Sequence, residues 1–588
     1  MIARKTLIAL AGSGIVALLG AACGGSDATA TPAPTATRPP APTFAPTPTT
    51  AATPIPPTAT RSAPTAAPPT PVPTLAPVPT ATSGGAKRGG ILQLRGIQPL
   101  VSGDTFDSRG RADFYLVASV LNNLIWTDPY AGGNTLSGDL VERWEVGDNG
   151  TALTFFLRRG VRYHDGTPLT SKDIAYNLDR GWKPRNGTMT IFRNLFAPIQ
   201  SISTPDDLTV KVTLSSASNS FAASLATVGV LMYPAGVPFP EKADQWKQSL
   251  IGTGPFKLKS TDTAKLELVR NEGYWRPGLP NVDGIVFTFM GSNDIAVPAL
   301  RTGRTDLESY VGTAVDILFN EFGASKSPYV FFTTNFSINS LHINQRPPWT
   351  DPKVREALSL ALDRQAIVDI WLRGRGGAFP APLLSPERGG QWGIPAEQMK
   401  TRPGFRPDKT ADLARAKALL AEAGVDPSKV TVNIVQVGLN VQFGEVAERS
   451  VASLGFKTKL DSLAGLDRTE RSLRGDFDIL DSLAVFQFDD PNDYLGAEVR
   501  TGGALNFGKW SDPQLDALFA EQDKTLDMAK RKQLLLQLQD LVLTDRYYIP
   551  GINRDGTGVY MEWVKNYPAK LPYWWSPRYR YESVWLDR

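Results

Sequence analysis

The chain has 588 residues, of which 42% are hydrophobic and 9% aromatic, and its 62 basic and 58 acidic residues give a formal net charge of +4. This length and apolar content predict more core than one ordinary domain holds, so two or three lobes are expected. The small charge excess forms no block of like charges, which argues against a nucleic-acid-binding surface. A single cysteine excludes an intrachain disulfide framework, and two histidines are too few for most transition-metal sites.

The N-terminus, MIARKTLIALAGSGIVALLGAAC, has the layout of a bacterial export signal. Arg4 and Lys5 precede an apolar run that is shorter than the roughly 20 residues needed to cross a bilayer, and small residues follow it. Its end, LLGAAC, resembles a lipobox, so residues 1–22 are predicted to be a lipoprotein signal peptide and Cys23 the lipid attachment site. The alternative is a cleaved signal with an incidental cysteine.

Residues 23–87 are the cysteine that is predicted to carry the lipid, followed by a segment made almost entirely of Ala, Thr and Pro. Such a composition has too few large apolar side chains to offset the entropy of ordering, so a disordered stalk is predicted. Repeated proline favours extended polyproline II and a reach on the order of 100–200 Å. A ligand for a proline-binding domain and an O-glycosylated stalk are the alternatives to a plain spacer.

The rest of the chain alternates strand-like and helix-like segments. Period-two alternation predicts strands at GGILQLRG (89–96), TFFLRR (154–159), TVKVTL (209–214) and KVTVNIVQV (429–437). Helical periodicity predicts helices at 350–371, 410–425, 511–522 and 529–543. Pro352 after Asp351 is typical of a first helical turn, and Gly424 is a typical helix stop. The pattern predicts a mixed α/β protein without short-period repeats.

Motifs that would indicate catalysis are missing from the sequence. It contains no G-x-S-x-G elbow, no Walker-type phosphate loop, no H-E-x-x-H and no G-x-G-x-x-G after a strand. His164 and His342 have no candidate catalytic partner beside them in sequence. We therefore predict a protein that is not an enzyme and needs no cofactor. An extracytoplasmic hydrolase with carboxylates assembled from distant positions stays open as an alternative, as does a wall-associated structural or adhesion protein.

The segment FQFDDPNDYL (486–495) concentrates acids among aromatics. Its carboxylates lack the offsets and the glycine of a calcium loop, so no metal site is predicted. An acid/base pair completed from elsewhere, a simple turn at DDPND and the wall of a binding site are the remaining interpretations.

Three stretches in order resemble one protein family. They are LVERWEVGDNGTALTFFLRRGVRYHDGTPLTSKDIAYNLDR (140–180), then IGTGPFKLKS with LELVRNEGYWRPGLPNVDGIVF and PALRTGRTDL, and then LHINQRPPWTDPKVREALSLALDRQAIV (341–368). Together with weaker matches they cover roughly residues 89–550, and they resemble the family 5 extracellular solute-binding proteins of ABC importers, the peptide/nickel type.

The resemblance implies a two-lobed α/β fold of the type II periplasmic-binding-protein kind, with an extra subdomain in the first lobe. It implies a first lobe at 89–335 with a C-terminal return at 545–588, and a second lobe at 336–544. It further implies a monomer that captures an oligopeptide or other small polar solute in the interlobe cleft and delivers it to an ABC permease. The expected location is the extracytoplasmic face of the bacterial membrane, in the periplasm or at the cell surface, held by the lipid on Cys23.

The same resemblance points to individual residues. Peptide-binding members of the family carry an Asp three residues before an Asp-Pro pair. Here the pair is Asp490–Pro491, and Gln487 stands in the place of that Asp. A neutral amide cannot form a charge-assisted bond to an α-ammonium, which leaves oligosaccharides, metal chelates and opine-like solutes open beside peptides. The predicted ligand-binding residues are Phe486, Gln487, Phe488, Asp489 and Trp392 in the second lobe, and Asp104 and Phe106 in the first.

Overall fold

The computed structural model describes residues 85–100, 103–106, 112–128, 136–183, 193–236, 250–310, 317–318, 321, 329–372, 379–380, 383–384, 392–437, 441–463, 465–485, 490–568 and 580–588. All of them lie in the compact unit Pro71–Arg588. The predicted signal peptide, Cys23 and nearly all of the predicted stalk fall outside the described residues. The same holds for Phe486, Gln487, Phe488 and Asp489 of the predicted ligand segment.

Strands and helices alternate along the described part of the chain, which confirms the predicted α/β class. The strands are β1 Ile91–Gly96, β2 Ile125–Thr127, β3 Leu136–Gly138, β4 Val141–Gly147, β5 Ala152–Leu157, β6 Ile199–Asp206, β7 Thr209–Leu214, β8 Phe256–Thr261, β9 Lys265–Arg270, β10 Gly284–Phe289, β11 Leu307–Tyr310, β12 Tyr329–Ile343, β13 Phe379–Pro380, β14 Thr431–Val437, β15 Lys457–Leu463, β16 Ile479–Val485, β17 Tyr548–Tyr560, β18 Val564–Lys565 and β19 Trp585–Leu586. The helices are α1 Ala112–Val117, α2 Ser171–Trp182, α3 Arg193–Phe196, α4 Phe221–Ser224, α5 Asn293–Arg301, α6 Pro352–Ala361, α7 Arg364–Leu372, α8 Ala396–Met399, α9 Thr410–Glu422, α10 Val441–Ala452, α11 Gly465–Arg474, α12 Pro491–Glu498, α13 Pro513–Lys524 and α14 Met528–Asp545.

One long sheet runs through the molecule in the order β15-β14-β16-β12-β17-β11-β1-β10-β9-β8, with β13 paired to β17 beside this path. At one end, β14 pairs in parallel with both β15 and β16. At the other end, β1 pairs in parallel with β10, and β10, β9 and β8 follow as antiparallel neighbours.

Separate apolar cores on the two parts of this sheet define two lobes. The largest core joins side chains between Leu92 and Leu318 to side chains from Val559 onward, and we call this part the first lobe. Two further cores, between Leu341 and Ile552 and between Ile338 and Tyr548, belong to what we call the second lobe.

A smaller antiparallel sheet, in the order β4-β5-β7-β6, adds a subdomain to the first lobe. Buried and less buried residues alternate along β5 and β7, as expected for strands with one face on a core. Helix α2 starts at a capping box. The side chain of Thr170 accepts a hydrogen bond from the backbone N–H of Asp173, and the side chain of Asp173 accepts one from the backbone N–H of Thr170. The buried residues Ile174 and Leu178 of α2 join the first-lobe core, so the subdomain is continuous with that lobe.

Two long antiparallel strands cross from one lobe to the other. Strand β12 has 15 residues and β17 has 13. The later part of β12 pairs with β16 in the second lobe, whereas the later part of β17 pairs with β11 in the first. The β12–β17 register shifts between Thr333 and Ser337. Such an irregularity bends a ladder locally, so the two crossing strands bend between the lobes.

Two local predictions differ from the structure. The helix predicted over 350–371 is split into α6 and α7, because the Asp363 side chain accepts a bond from Ala366 N at 2.9 Å and thereby starts a new helix. Of the turn considered at DDPND, Asp489 lies outside the described residues, and the remaining four residues are the start of α12, where Asp490 is the N-cap and Pro491 occupies the first turn.

Candidate ligand-binding site

The carboxyl ends of β14, β15 and β16 lie at one edge of the second-lobe sheet, since these strands are parallel. Along the chain β14 is followed by α10 and β15, while β16 lies on the opposite side of β14. The strand order therefore reverses beside β14. In open α/β sheets such a switch point forms a crevice beyond the carboxyl ends of the strands, where ligands bind.

The two helices beside this switch point pack on opposite faces of the sheet. Phe443 of α10 shares a core with Ile434 of β14. The next residue of β14, Val435, packs in another cluster together with Phe507, and Arg468 of α11 lies 5.9 Å from the centre of that ring. Helices on opposite faces of the sheet are the arrangement in which the switch-point rule expects a ligand crevice.

The predicted ligand segment leaves the sheet at this edge. Strand β16 ends at Val485 and α12 begins at Pro491, so the four residues from Phe486 to Asp489 connect them outside the described ranges. Their position along the chain, between a strand end and a helix N-terminus, is typical of binding loops in α/β folds.

Asp490 fixes the far end of this segment. Its Oδ1 accepts a hydrogen bond from Asn492 N at 3.0 Å, which caps α12. The same carboxylate pairs bidentately with Arg531 of α14, with both N–O distances at 2.9 Å. Both side chains are buried, and a bidentate charge-assisted pair of this kind is among the stronger polar contacts in proteins.

Trp392 lies against the same arginine. The Arg531 guanidinium carbon is 4.8 Å from the centre of the Trp392 ring, a cation–π distance. The Trp392 side chain is only 4% exposed and packs in the second-lobe core with Ala484 and Tyr494. The structure thus brings the predicted residue Trp392 near the base of the ligand segment, where it also serves as core.

Asp104 and Phe106 lie together in a different cluster, in the first lobe. Asp104 is fully buried, its Oδ1 accepts a bond from Phe106 N at 3.1 Å, and its Oδ2 pairs with Arg180. The Arg180 guanidinium carbon is 4.7 Å from the centre of the Phe106 ring. These contacts give both residues a structural role, and a contact of either with ligand stays a prediction.

The Phe106 cluster nevertheless reaches the second lobe through one helix. The rings of Phe106 and Phe196 are 6.1 Å apart, and Phe196 is the last residue of α3. Helix α3 packs against α12, which follows the predicted ligand segment. The two lobes therefore approach each other where α3 lies beside α12.

A second interlobe contact involves residues that the sequence did not single out. Asn219 and Ser220, in the loop between β7 and α4 of the subdomain, bond to Asp523 at the end of α13 in the second lobe. Asp523 is partly buried there, and burial, followed by the charge of Asp490, raises the pKa of its carboxyl. The partners are about 300 residues apart, so no spacing in the sequence could have indicated this contact.

The two histidines occupy structural positions. His164 lies within 3.0 Å of Gly254 O, and burial lowers its pKa to about 4. His342 is fully buried and its Nε2 lies 2.8 Å from Glu498 Oε2, a pairing that the sequence did not predict. The residues that the structure describes contain no group of three or more His, Cys, Asp or Glu side chains able to hold a metal ion.

Comparison with known proteins identifies the family. The model of "Bacterial extracellular solute-binding proteins, family 5 Middle" matches residues 135–505, which is more than half of the chain. The chain belongs to this family. Family 5 proteins are the extracytoplasmic solute-binding components of ABC importers, so the predicted family is confirmed. Across the described ranges we find no helix with the length and apolar character to span a membrane.

Curated relatives of family 5 are similar over most of their length. The glutathione-binding protein GsiB of Salmonella choleraesuis (strain SC-B67) is 26% identical over 491 residues, which cover 74% of this chain and 88% of the relative. GsiB of Shigella flexneri serotype 5b (strain 8401) is 25% identical over 490 residues, with the same coverage of both chains.

Solved structures of family 5 type share the fold. The murein tripeptide binding protein MppA of Escherichia coli has a TM-score of 0.73 at 19% identity, covering 85% of this chain and 98% of that chain. The protein AgaA of A. tumefaciens R10, in complex with agropinic acid, has a TM-score of 0.70 at 23% identity, covering 85% and 99%. These likenesses establish the two-lobed type II fold that the sequence predicted.

Proposed function

We propose that this chain is a membrane-tethered solute receptor that captures an oligopeptide or another small polar solute between its lobes and delivers it to an ABC permease. The observation that carries the proposal is the predicted ligand segment at a switch-point edge, with Asp490 held by Arg531 directly behind it. A segment that is anchored at its base can present side chains to a ligand without a large ordering cost. An oligosaccharide- or metal-chelate-binding receptor of the same family is the alternative.

The side chains proposed to contact the solute are Phe486, Gln487, Phe488 and Asp489. The aromatic rings suit stacking, and the Gln487 amide can both donate and accept hydrogen bonds. Trp392 supports the site from behind. The described residues supply no acceptor for its indole N–H, which makes this group a candidate donor to the ligand.

The solutes of similar proteins guide the choice of the first ligands to screen. They include glutathione, a murein tripeptide and agropinic acid. We therefore propose short peptides and amino-acid conjugates as the first ligands to test. The neutral Gln487 predicts that a free α-ammonium is not the main recognised group.

A thermal-shift screen tests the proposed function. Di- to pentapeptides, glutathione, opines, oligosaccharides and metal chelates are each added to the purified chain, and mass spectrometry checks every solute for turnover. A receptor gains roughly 2.7 kcal/mol of stability when ligand is present at a hundred times Kd, and it leaves the solute unchanged. Hydrolysis of any solute in the panel would favour the hydrolase alternative.

The role of Gln487 is tested with the solute that this screen identifies. Gln487→Ala should weaken binding about tenfold without changing the unfolding temperature of the free protein, because it removes one or two hydrogen bonds to ligand. Gln398→Ala, an exposed glutamine of the same lobe, is the matched control. Equal affinity of both variants would show that the segment does not line the site.

The lipid anchor is a separate part of the proposal. Cys23→Ser should move the protein from the membrane fraction to the soluble fraction, whereas the wild type should stay in the membrane fraction until detergent is added. Retention of the variant in the membrane fraction would show that Cys23 is not the anchor.

A further inference from the structure

The loop from Ser218 to Ser220 completes the end of a helix in the other lobe. Asn219 N donates to Asp523 O at 3.0 Å, and Asn219 Nδ2 donates to Asp523 O at 2.9 Å and to Thr525 O at 2.7 Å. The last carbonyl groups of a helix receive no hydrogen bond from an N–H group of the same helix, so they need donors from outside it. Here the first-lobe subdomain supplies these donors to α13.

Ser220 adds two side-chain contacts beside Asn219. Its Oγ donates to Asp523 Oδ1 at 3.2 Å and accepts from Asn492 Nδ2 at 2.7 Å. One hydroxyl thus joins the end of α13 to the first turn of α12. Both helices belong to the second lobe, so Asn219 and Ser220 together bridge the lobes at two helix ends.

A chain of single hydrogen bonds leads from this bridge to the ligand segment. Asn492 Oδ1 accepts a bond from Gln522 Nε2, and Gln522 Oε1 accepts one from Arg531 Nε at 3.0 Å. Arg531 in turn holds Asp490, the residue that directly follows Asp489. The side chains of this chain are buried or partly buried, which shields its electrostatic interactions from solvent.

We propose that Asn219 and Ser220 form a latch that holds the lobes closed, and that Asn492 and Gln522 are positioning residues that couple this latch to Asp490 at the start of α12. The coupling rests on the proposed function, whereas the latch can be tested without any ligand. When the lobes separate, water can satisfy the groups that Asn219 and Ser220 release, so the latch biases closure without making it permanent. Coupling is reciprocal, so latch formation raises ligand affinity by the same factor by which bound ligand favours the latch.

The latch is tested by measuring an interlobe distance in the ligand-free protein. Cys23 is the single cysteine of the chain, so the full chain with Cys23→Ser accepts spin labels at Lys211→Cys in the subdomain and Lys417→Cys in the second lobe, both exposed positions. Double electron–electron resonance then reports the closed and open populations. Asn219→Ala with Ser220→Ala should lower the closed-to-open ratio about tenfold, through the loss of several hydrogen bonds.

Two matched variants separate the latch from general damage. Ser220→Thr keeps the hydroxyl and should retain the wild-type distance distribution. Ser215→Ala removes a hydroxyl that bonds within the subdomain, to Pro198 O, and should leave the distance unchanged. An unchanged distribution in the Asn219→Ala, Ser220→Ala variant would overturn the latch, whatever the ligand screen yields.

The coupling is tested by hydrogen exchange, again without ligand. Ser220→Ala and Asn492→Ala should each raise the exchange rate of amides within residues 490–498 several-fold, since both cut the chain that leads to Asp490 at the start of α12. Wild-type exchange there, together with a longer interlobe distance, would overturn the coupling and leave the latch standing. A failed solute screen with a latch-dependent distance would instead count against the proposed function alone.

Discussion

Asp139 in the first lobe and Asp490 in the second are both buried carboxylates paired with arginine, but their surroundings differ. Asp139 accepts hydrogen bonds from both terminal guanidinium nitrogens of Arg580, at 2.8 and 2.7 Å, and one from Arg276 at 3.1 Å. Arg276 also pairs with Glu582 at 2.9 Å. Two asparagines of the first lobe also bond to Asp139, so the contacts of this cluster are closed within that lobe, and they fix the C-terminal segment 580–588 to its core.

Asp490 has one arginine partner, and that partner leads elsewhere. Besides its two bonds to Asp490, Arg531 donates a third hydrogen bond to Gln522. Gln522 in turn bonds to Asn492, and Asn492 bonds to Ser220 of the first lobe. A cluster of charges that stays within one lobe stabilises that lobe, whereas this line of single hydrogen bonds joins the two lobes. The difference indicates that burial and charge pairing alone do not identify a functional site. Whether the hydrogen bonds of a buried carboxylate stay within one lobe or connect two lobes is the more informative property.

The largest expected effect is a loss of unfolding free energy when the Asp139 cluster is disrupted. Asp139→Ala leaves Arg276 and Arg580 buried without their shared carboxylate, so it should lower the free energy of unfolding by about 3–5 kcal/mol. Denaturant titration measures this loss. The exposed Asp207→Ala should stay within about 0.5 kcal/mol of wild type. If Asp139→Ala lowered the free energy of unfolding as little as Asp207→Ala does, the Asp139 cluster would not be the stabilising site that the comparison with Asp490 requires.

An intermediate effect is expected at Arg531. Arg531→Lys keeps the charge but loses the bidentate pair and the bond to Gln522, so stability should fall by roughly 1.5–3 kcal/mol. The closed population in the labelled chain should fall as well. Arg301→Lys, at the exposed pair with Glu321, is the control and should change neither quantity measurably. Loss of stability with an unchanged closed population would reduce Arg531 to a purely structural residue.

The smallest effect is a dependence of closure on pH at Asp523. Asp490 from α12, Arg531 from α14, and Ser218 and Ser220 from the subdomain face this carboxyl. Burial, then the charge of Asp490, raises its pKa in the closed form, and opening should return the pKa toward the ordinary value near 3.9. The closed form thus takes up a proton more readily, so closure should strengthen as the pH falls from neutrality toward about 4.

The same spin-labelled chain tests this dependence. Asp523→Asn imitates the protonated carboxyl and should make the distance distribution independent of pH. Glu521→Gln, at an exposed position of the same helix, should leave the wild-type dependence in place. A pH dependence that persists in Asp523→Asn would assign it to another group.

Elements with strong periodicity and clear end signals were predictable from sequence. Helix α9 spans Thr410–Glu422 and is followed by Gly424 with φ +67°, a conformation that glycine adopts without strain. The break between α6 and α7 was missed because the apolar pattern continues through it, whereas the Asp363 side chain competes locally for the backbone.

The candidate site was predictable only in part. The position of the ligand segment follows from a family pattern that includes Asp490–Pro491, and the structure places that pair at a helix start beside the switch point. Contacts such as Ser220 with Asp523 depend on how the lobes meet, which no local pattern encodes. The lobe boundaries at 335/336 and 544/545 stay predictions, because β12 and β17 run through both lobes without interruption.

The position of β1 has a mechanical consequence. This strand directly follows the last residues of the predicted stalk, and it lies inside the sheet between β11 and β10. A pull transmitted through residues before Ile91 therefore loads hydrogen bonds within the first lobe, in shear along β1. Neither β12 nor β17 pairs with β1, so the two crossing strands lie outside the ladders that such a pull would load first.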